Sequence, residues 1–198
     1  VLKEYDGNVP GITNTSASQI SSGINNGVSI INYCNHGSET SWSVAGYSSS
    51  HVNNLTNIGK LPFIWAVACV NGSFVGKTCF AETWLRATHN GEPTGAIGTM
   101  MSTINQAWQP PMTGQDEMVG ILSESFEENI KRTFGGISIN GSLRMLDVHG
   151  VSGKETHDTW TLFGDPTFFV RTDVPQDMAV THNPTLFVGA TYFAVSCD

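Results

Sequence analysis

The chain has 198 residues, enough for a domain that buries roughly 70% of its unfolded surface and needs no disulfide staple. Only 13% of the residues are charged, and a net charge of −8 with nine scattered Lys and Arg excludes the basic face that nucleic acid requires. No apolar run reaches the roughly 18 residues of a membrane-spanning helix, and Cys34, Cys69, Cys79 and Cys197 form neither a dense disulfide framework nor a Cys-x-x-Cys metal pair.

From the N-terminus, residues 18–26 read as a helix, with Ile20 and Ile24 one turn apart and Gly27 as its C-cap. The β-branched run 28–33 reads as a strand. Ser50 caps a short helix carrying Val52 and Leu55 and closed by Gly59, and residues 61–68 form an apolar strand of the kind buried on both faces. Phe80, Trp84 and Ala87 share a helix face that ends at His89-Asn90-Gly91, and residues 94–99 read as a small-residue strand. A long helix is predicted over 116–134, closed by Gly135-Gly136, then a helix over 142–148 and a strand over 167–171. Alternating helices and buried strands predict an α/β fold with an open, mostly parallel sheet and right-handed crossovers.

From Thr172 the texture changes. Asp173-Val174-Pro175 reads as a linker, and residues 185–188 and 191–196 as short strands. Two strands alone are marginal, so residues 172–198 are expected to open a second, all-β domain.

Two strands run into reactive residues. The first ends in Cys34-Asn35-His36-Gly37 and the second in Cys69-Val70-Asn71-Gly72. In an open α/β sheet the loops at the carboxyl ends of neighbouring strands line the ligand crevice. His36 and Cys69 are therefore expected to meet there, although 33 positions separate them. A thiol beside an imidazole is the minimum apparatus for nucleophilic attack on a carbonyl, because the thiolate is the reactive form. The backbone N–H groups of Gly37 and Cys69 would serve the developing oxyanion. His36 and Glu39 have metal-like spacing but lack a third ligand, so no metal is expected.

The segments Asn32-Tyr33-Cys34-Asn35-His36-Gly37-Ser38-Glu39-Thr40 and Ala68-Cys69-Val70-Asn71-Gly72 resemble those of the gingipains, secreted bacterial cysteine endopeptidases with a caspase-like fold. The resemblance continues through Ser102 to Trp108, Gly114 to Met118, Lys131 to Gly136 and Asp158 to Pro166. It implies that residues 1–171 are the C-terminal part of a caspase-like catalytic domain and that 172–198 begin an immunoglobulin-like one. It also implies His36 as catalytic histidine, Cys69 as nucleophile, and Gly37 with Cys69 as oxyanion donors.

Trp108 and Met112, with Gln106 and Val67, resemble the S1 pocket of the arginine-specific branch. An indole and a thioether suit the two faces of a guanidinium. The lysine-specific branch has an Asp three residues after this Trp, where this chain has Pro111. Protein substrates with Arg before the cut are the implied partners, and a secreted or cell-surface location the implied setting. The chemistry needs no cofactor, while structural calcium is compatible with the family. The family's acidic S1-floor and histidine-orienting residues would precede Val1, so either a separate N-terminal chain or sequence upstream of Val1 is the expected complement. The rival reading is a secreted adhesin that keeps the scaffold without turnover. Asn14, Asn54, Asn71 and Asn140 begin glycosylation sequons, and a glycan on Asn71 would obstruct Cys69.

Overall fold

The computed structural model describes residues 15–128, 130–172 and 179–197. Asn14 and the expected linker at 173–175 lie outside them. In chain order the elements are α1 (Ala17–Asn26), β1 (Ile30–Cys34), β2 (Gly37–Ser38), β3 (Ser41–Trp42), β4 (Tyr47–Ser48), α2 (Ser49–Val52) and β5 (Phe63–Val67). There follow α3 (Phe80–Arg86), β6 (Thr88–His89), β7 (Glu92–Pro93), β8 (Gly98–Ser102), α4 (Gln109–Leu122), α5 (Phe134–His149), α6 (Val151–Thr159), β9 (Trp160–Gly164), β10 (Val180–His182) and β11 (Val195–Cys197).

The main sheet has the order β1-β5-β8-β9, with β1, β5 and β8 parallel and β9 antiparallel. It is the open, mostly parallel, helix-flanked sheet expected from the alternating pattern. The central strand β5 carries five residues, none more than 5% exposed. Its side chains alternate between two cores. Ile64 and Ala66 join Trp42, Tyr47, Val52, Leu55, Phe80 and Trp84 on one face. Phe63, Trp65 and Val67 join Met118, Phe134, Ile137 and Met145 of α4 and α5 on the other. Period-two alternation with both faces apolar is what a strand sandwiched between helix layers requires. The Trp160 indole of β9 donates to the carbonyls of Ala66 and Met100, tying the antiparallel edge to the two inner strands.

Several element boundaries differ from the sequence reading. The helix expected over 116–134 is instead α4, which starts at Gln109 and ends at Leu122. Pro110 and Pro111 fall in its first turn, where backbone N–H groups have no helical acceptor and proline costs little. Gly135 and Gly136 do not close a helix but begin α5, whose N-cap Thr133 accepts from the Gly136 N–H. A side chain at Gly135 would lie 2.5 Å from the Pro166 ring, so close packing selects glycine there. The expected strand over 167–171 reduces to one bridge between Thr133 and Phe169, and the fourth strand is β9. The strand expected over 94–99 begins at Gly98. His89-Asn90-Gly91 proves to be a hairpin tip, with Asn90 and Gly91 both at positive φ.

Candidate active site

The site forms where β1, β5 and β8 end. Cys34 stands opposite Val67 in the parallel ladder, and the Asn35 N–H extends it to the Val67 carbonyl at 3.1 Å. His36 and Cys69 each follow two residues beyond that last matched pair. The parallel register thus carries the backbones of both residues off the same end of two neighbouring strands.

His36 enters the β2–β3–β4 hairpin with its backbone pinned. Its carbonyl accepts from the Tyr33 hydroxyl at 2.9 Å and from the Ser43 N–H at 3.0 Å. Its N–H donates to Asn35 Oδ1 at 2.7 Å. Tyr33 is in turn stacked on buried Trp42, with ring centroids 4.4 Å apart. The imidazole itself is exposed and meets the Trp108 indole edge-on, centroids 5.3 Å apart. Because the Ser43 N–H bonds the His36 carbonyl, Gly37 and Trp42 form a non-hydrogen-bonded pair. The Gly37 N–H is thereby turned away from the hairpin ladder.

The Cys69 loop is laced to the segment that follows β8. The Ala68 N–H donates to Gln106 Oε1 at 3.1 Å, the Val70 N–H to the Ile104 carbonyl at 2.9 Å, and the Gly72 N–H to the Ser102 carbonyl at 2.8 Å. The Cys69 thiol lies 3.8 Å from the Gln106 carbonyl oxygen. Val70 adopts φ 49°, a left-handed conformation that a β-branched residue takes only when its neighbours impose it. Gln106 thus holds the thiol loop, and two residues on Trp108 reaches the imidazole.

The two loops also touch directly. A Cβ on Gly37 would lie 2.9 Å from the Ala68 Cβ and equally close to both Asn71 amide atoms. Asn71 donates through Nδ2 to the carbonyls of Ser38 and Ser41 across the hairpin turn. Asn71 is 0% exposed, so this sequon offers no glycan acceptor in the folded chain.

Of the expected pocket residues, Trp108 is 44% exposed and caps α4. Met112 sits one turn further on, half-buried, its N–H bonded to the Trp108 carbonyl at 3.1 Å. Val67 is 1% exposed, its side chain in the core beneath the strand end. Cys34 shares the site's strand end, and its thiol is pushed above the ordinary range by desolvation and then by the Asp116 carboxylate. An exposed Lys77–Glu39 ion pair joins the loop after Cys69 to the hairpin tip, a contact worth little in water.

Among the described residues no three carboxylate, imidazole or thiol groups converge on a common point. They offer no acidic cage for the calcium that the family resemblance allows. Sequence reasoning missed Asn71, the steric role of Gly37, and the lacing through Ser102 and Ile104. All three depend on residues far apart in sequence, and no local pattern marks them.

The model of Peptidase family C25 matches residues 3–171. Gingipain R2 of Porphyromonas gingivalis is 47% identical over 199 aligned positions, covering 100% of this chain and 26% of that protein. The crystal structure of the Arg-specific cysteine proteinase gingipain R superposes with TM-score 0.83 at 46% identity, covering 96% of this chain and 44% of the solved one. A complex of the pro- and mature domains of RgpB, from the same organism, matches with TM-score 0.81 at 46% identity, with the same coverage of both chains. The chain therefore spans about a quarter of the curated relative.

Proposed function

The chain belongs to peptidase family C25 and has its caspase-like fold, and from that premise we propose that the protein is a secreted or cell-surface cysteine endopeptidase cleaving after arginine. Cys69 is the nucleophile and His36 its base. The imidazole takes the thiol proton, and the thiolate attacks the carbonyl carbon of the scissile bond. The resulting oxyanion is met by the N–H groups of Gly37 and Cys69. On collapse the C–N bond breaks, His36 returns the proton to the leaving amine, and a thioester remains on Cys69. Water, deprotonated by His36, then releases the carboxylate. No cofactor enters this sequence.

The observation that carries the reading is the close packing of the His36-Gly37 turn against the Ala68–Asn71 loop at the end of two register-matched strands. The exposed Trp108 indole beside His36 supports an S1 wall, with Met112 one turn away and Gln106 and Val67 behind. An arginine side chain would lie against the indole face. The end of the family match at residue 171 supports a catalytic unit over 1–171 and a second unit from 172, where β10 and β11 pair as an antiparallel ribbon. Cys69→Ala and His36→Ala are each expected to abolish hydrolysis of an Arg-containing peptide while preserving the melt. Undiminished turnover in either variant ends the reading. Faster cleavage of a Lys twin overturns only the specificity.

A further inference from the structure

We propose that Asn71 is a positioning residue for this reaction, setting the relative placement of His36, Gly37 and Cys69 by clamping the hairpin to the nucleophile loop. The role rests on the peptidase reading above and adds to it a residue that touches no substrate.

Asn71 is wholly buried two residues after Cys69, on a loop whose course is fixed from both sides. Its own carbonyl accepts from the Ala81 N–H at 3.0 Å, which anchors it to the start of α3. Its Nδ2 donates to the carbonyls of Ser38 and Ser41, at 2.5 and 3.0 Å. Those two residues flank the tip of the hairpin that begins one residue after His36. The single amide therefore spans the two loops that carry the imidazole and the thiol. It is also the surface against which Gly37 packs, since a Cβ there would stand 2.9 Å from both amide atoms.

Among the described residues the Asn71 Oδ1 is buried with no hydrogen-bond partner. Buried acceptors are normally satisfied, so the amide's placement here is set by its two donated bonds and not by its oxygen. Here the amide gives up a bond on one side while using both N–H donors to join the loops. The Lys77–Glu39 pair spans the same gap from outside, but it is exposed and too weakly held to fix sub-ångström geometry. Small displacements matter in this setting because nucleophilic attack requires near-contact alignment.

The test compares Asn71→Ala, Asn71→Asp and Asn71→Ser with the parent chain. Readouts are thermal melting, kcat and KM on an Arg-terminated chromogenic peptide, and the pH dependence of iodoacetamide alkylation at Cys69. Ala and Asp, which lack the amide donors, are expected to lower kcat at least 30-fold with KM changed less than threefold. The rate of Cys69 alkylation at pH 7 is expected to fall, because the hairpin no longer holds the imidazole where it can accept the thiol proton. Ser, whose hydroxyl can still donate to one carbonyl, is expected to recover part of kcat. Parent-like kcat and alkylation in Asn71→Ala overturn the proposal, and so does loss of a cooperative melt in all three variants, which would make Asn71 a residue of the fold alone. Cys69→Ala separates the two readings: turnover surviving there defeats the peptidase assignment, whereas a dead Cys69→Ala beside a normal Asn71→Ala defeats only the clamp.

Discussion

Gly37→Ala is the perturbation for which the structure gives the sharpest expectation. The added methyl would meet the Ala68 Cβ and the Asn71 amide at 2.9 Å, where ordinary contact begins at 3.4 Å, so each contact must open by about 0.5 Å. Ala68 is 3% exposed and Asn71 0%, which leaves those groups no room to retreat. The strain passes to the hairpin, and His36 moves with it. A misplacement approaching 1 Å costs on the order of 10²-fold in rate. A shift of half that size or more is expected to lower kcat/KM by roughly 10- to 100-fold, about 1.4–2.7 kcal/mol of transition-state stabilisation. Overpacking also costs about 1–3 kcal/mol of stability. The melt should then fall by about 2–10 °C. Steady-state hydrolysis of an Arg-terminated peptide and calorimetry measure the two effects. The double variant Gly37→Ala/Ala68→Gly removes one of the three contacts and should recover part of the rate. A single Gly37→Ala variant with parent-like kcat/KM would refute the claim that the two loops are seated against each other.

Trp108→Ala should raise KM for an Arg substrate by roughly 2- to 30-fold, as loss of one cation–π face implies, with little change in melting, since the indole is 44% exposed. Alkylation at pH 7 followed by peptide mapping should label Cys69 before Cys34 and Cys79, whose thiols are both pushed upward, chiefly by desolvation. Asp116→Asn removes the smaller upward push on Cys34 and should make it somewhat more reactive. The buried Tyr47 hydroxyl, raised by desolvation from 10.0 to about 12, favours the folded state while neutral. That contribution, roughly 3 kcal/mol, is complete below pH 10 and is lost as pH rises to about 12. Tyr47→Phe should therefore melt with a flatter pH dependence over that alkaline range.

The sheet's centre and the two reactive loops were legible because β1 and β5 are β-branched or apolar runs that stop at chemically distinctive residues. The α4–α5 region was not. Its apolar spacing continues through Phe126 and Ile130 although α4 ends at Leu122, and both side chains prove to be exposed. Pro110-Pro111 and Gly135-Gly136 carry opposite meanings at a helix start and at a helix end, and only tertiary contacts choose between them. Gly135 is selected by Pro166, and Thr133 supplies the cap. β9 escaped notice because a short antiparallel edge strand of Trp, Thr, Leu and Phe has no distinctive period. Cys69 and His36 stand out in the sequence as reactive residue types at strand ends, whereas Asn71 could be seen only as a sequon until its buried amide was found bonded across the hairpin turn.

The last rung of the β1–β5 ladder, Cys34 beside Val67, has a consequence for how this scaffold can vary. Because His36 and Cys69 are each counted from that rung, a change of length in the loop just before β5 leaves the count unaltered, whereas the hairpin and α2, which hold Trp42, Tyr47 and Val52 in the core, cannot be exchanged freely. Adding one residue between the rung and either loop is different in kind. It would carry that side chain about 3.3 Å onward and turn it toward the opposite side of the sheet. Tolerance to length change should therefore differ sharply between neighbouring stretches of this chain, and a scan of single-residue insertions would trace it.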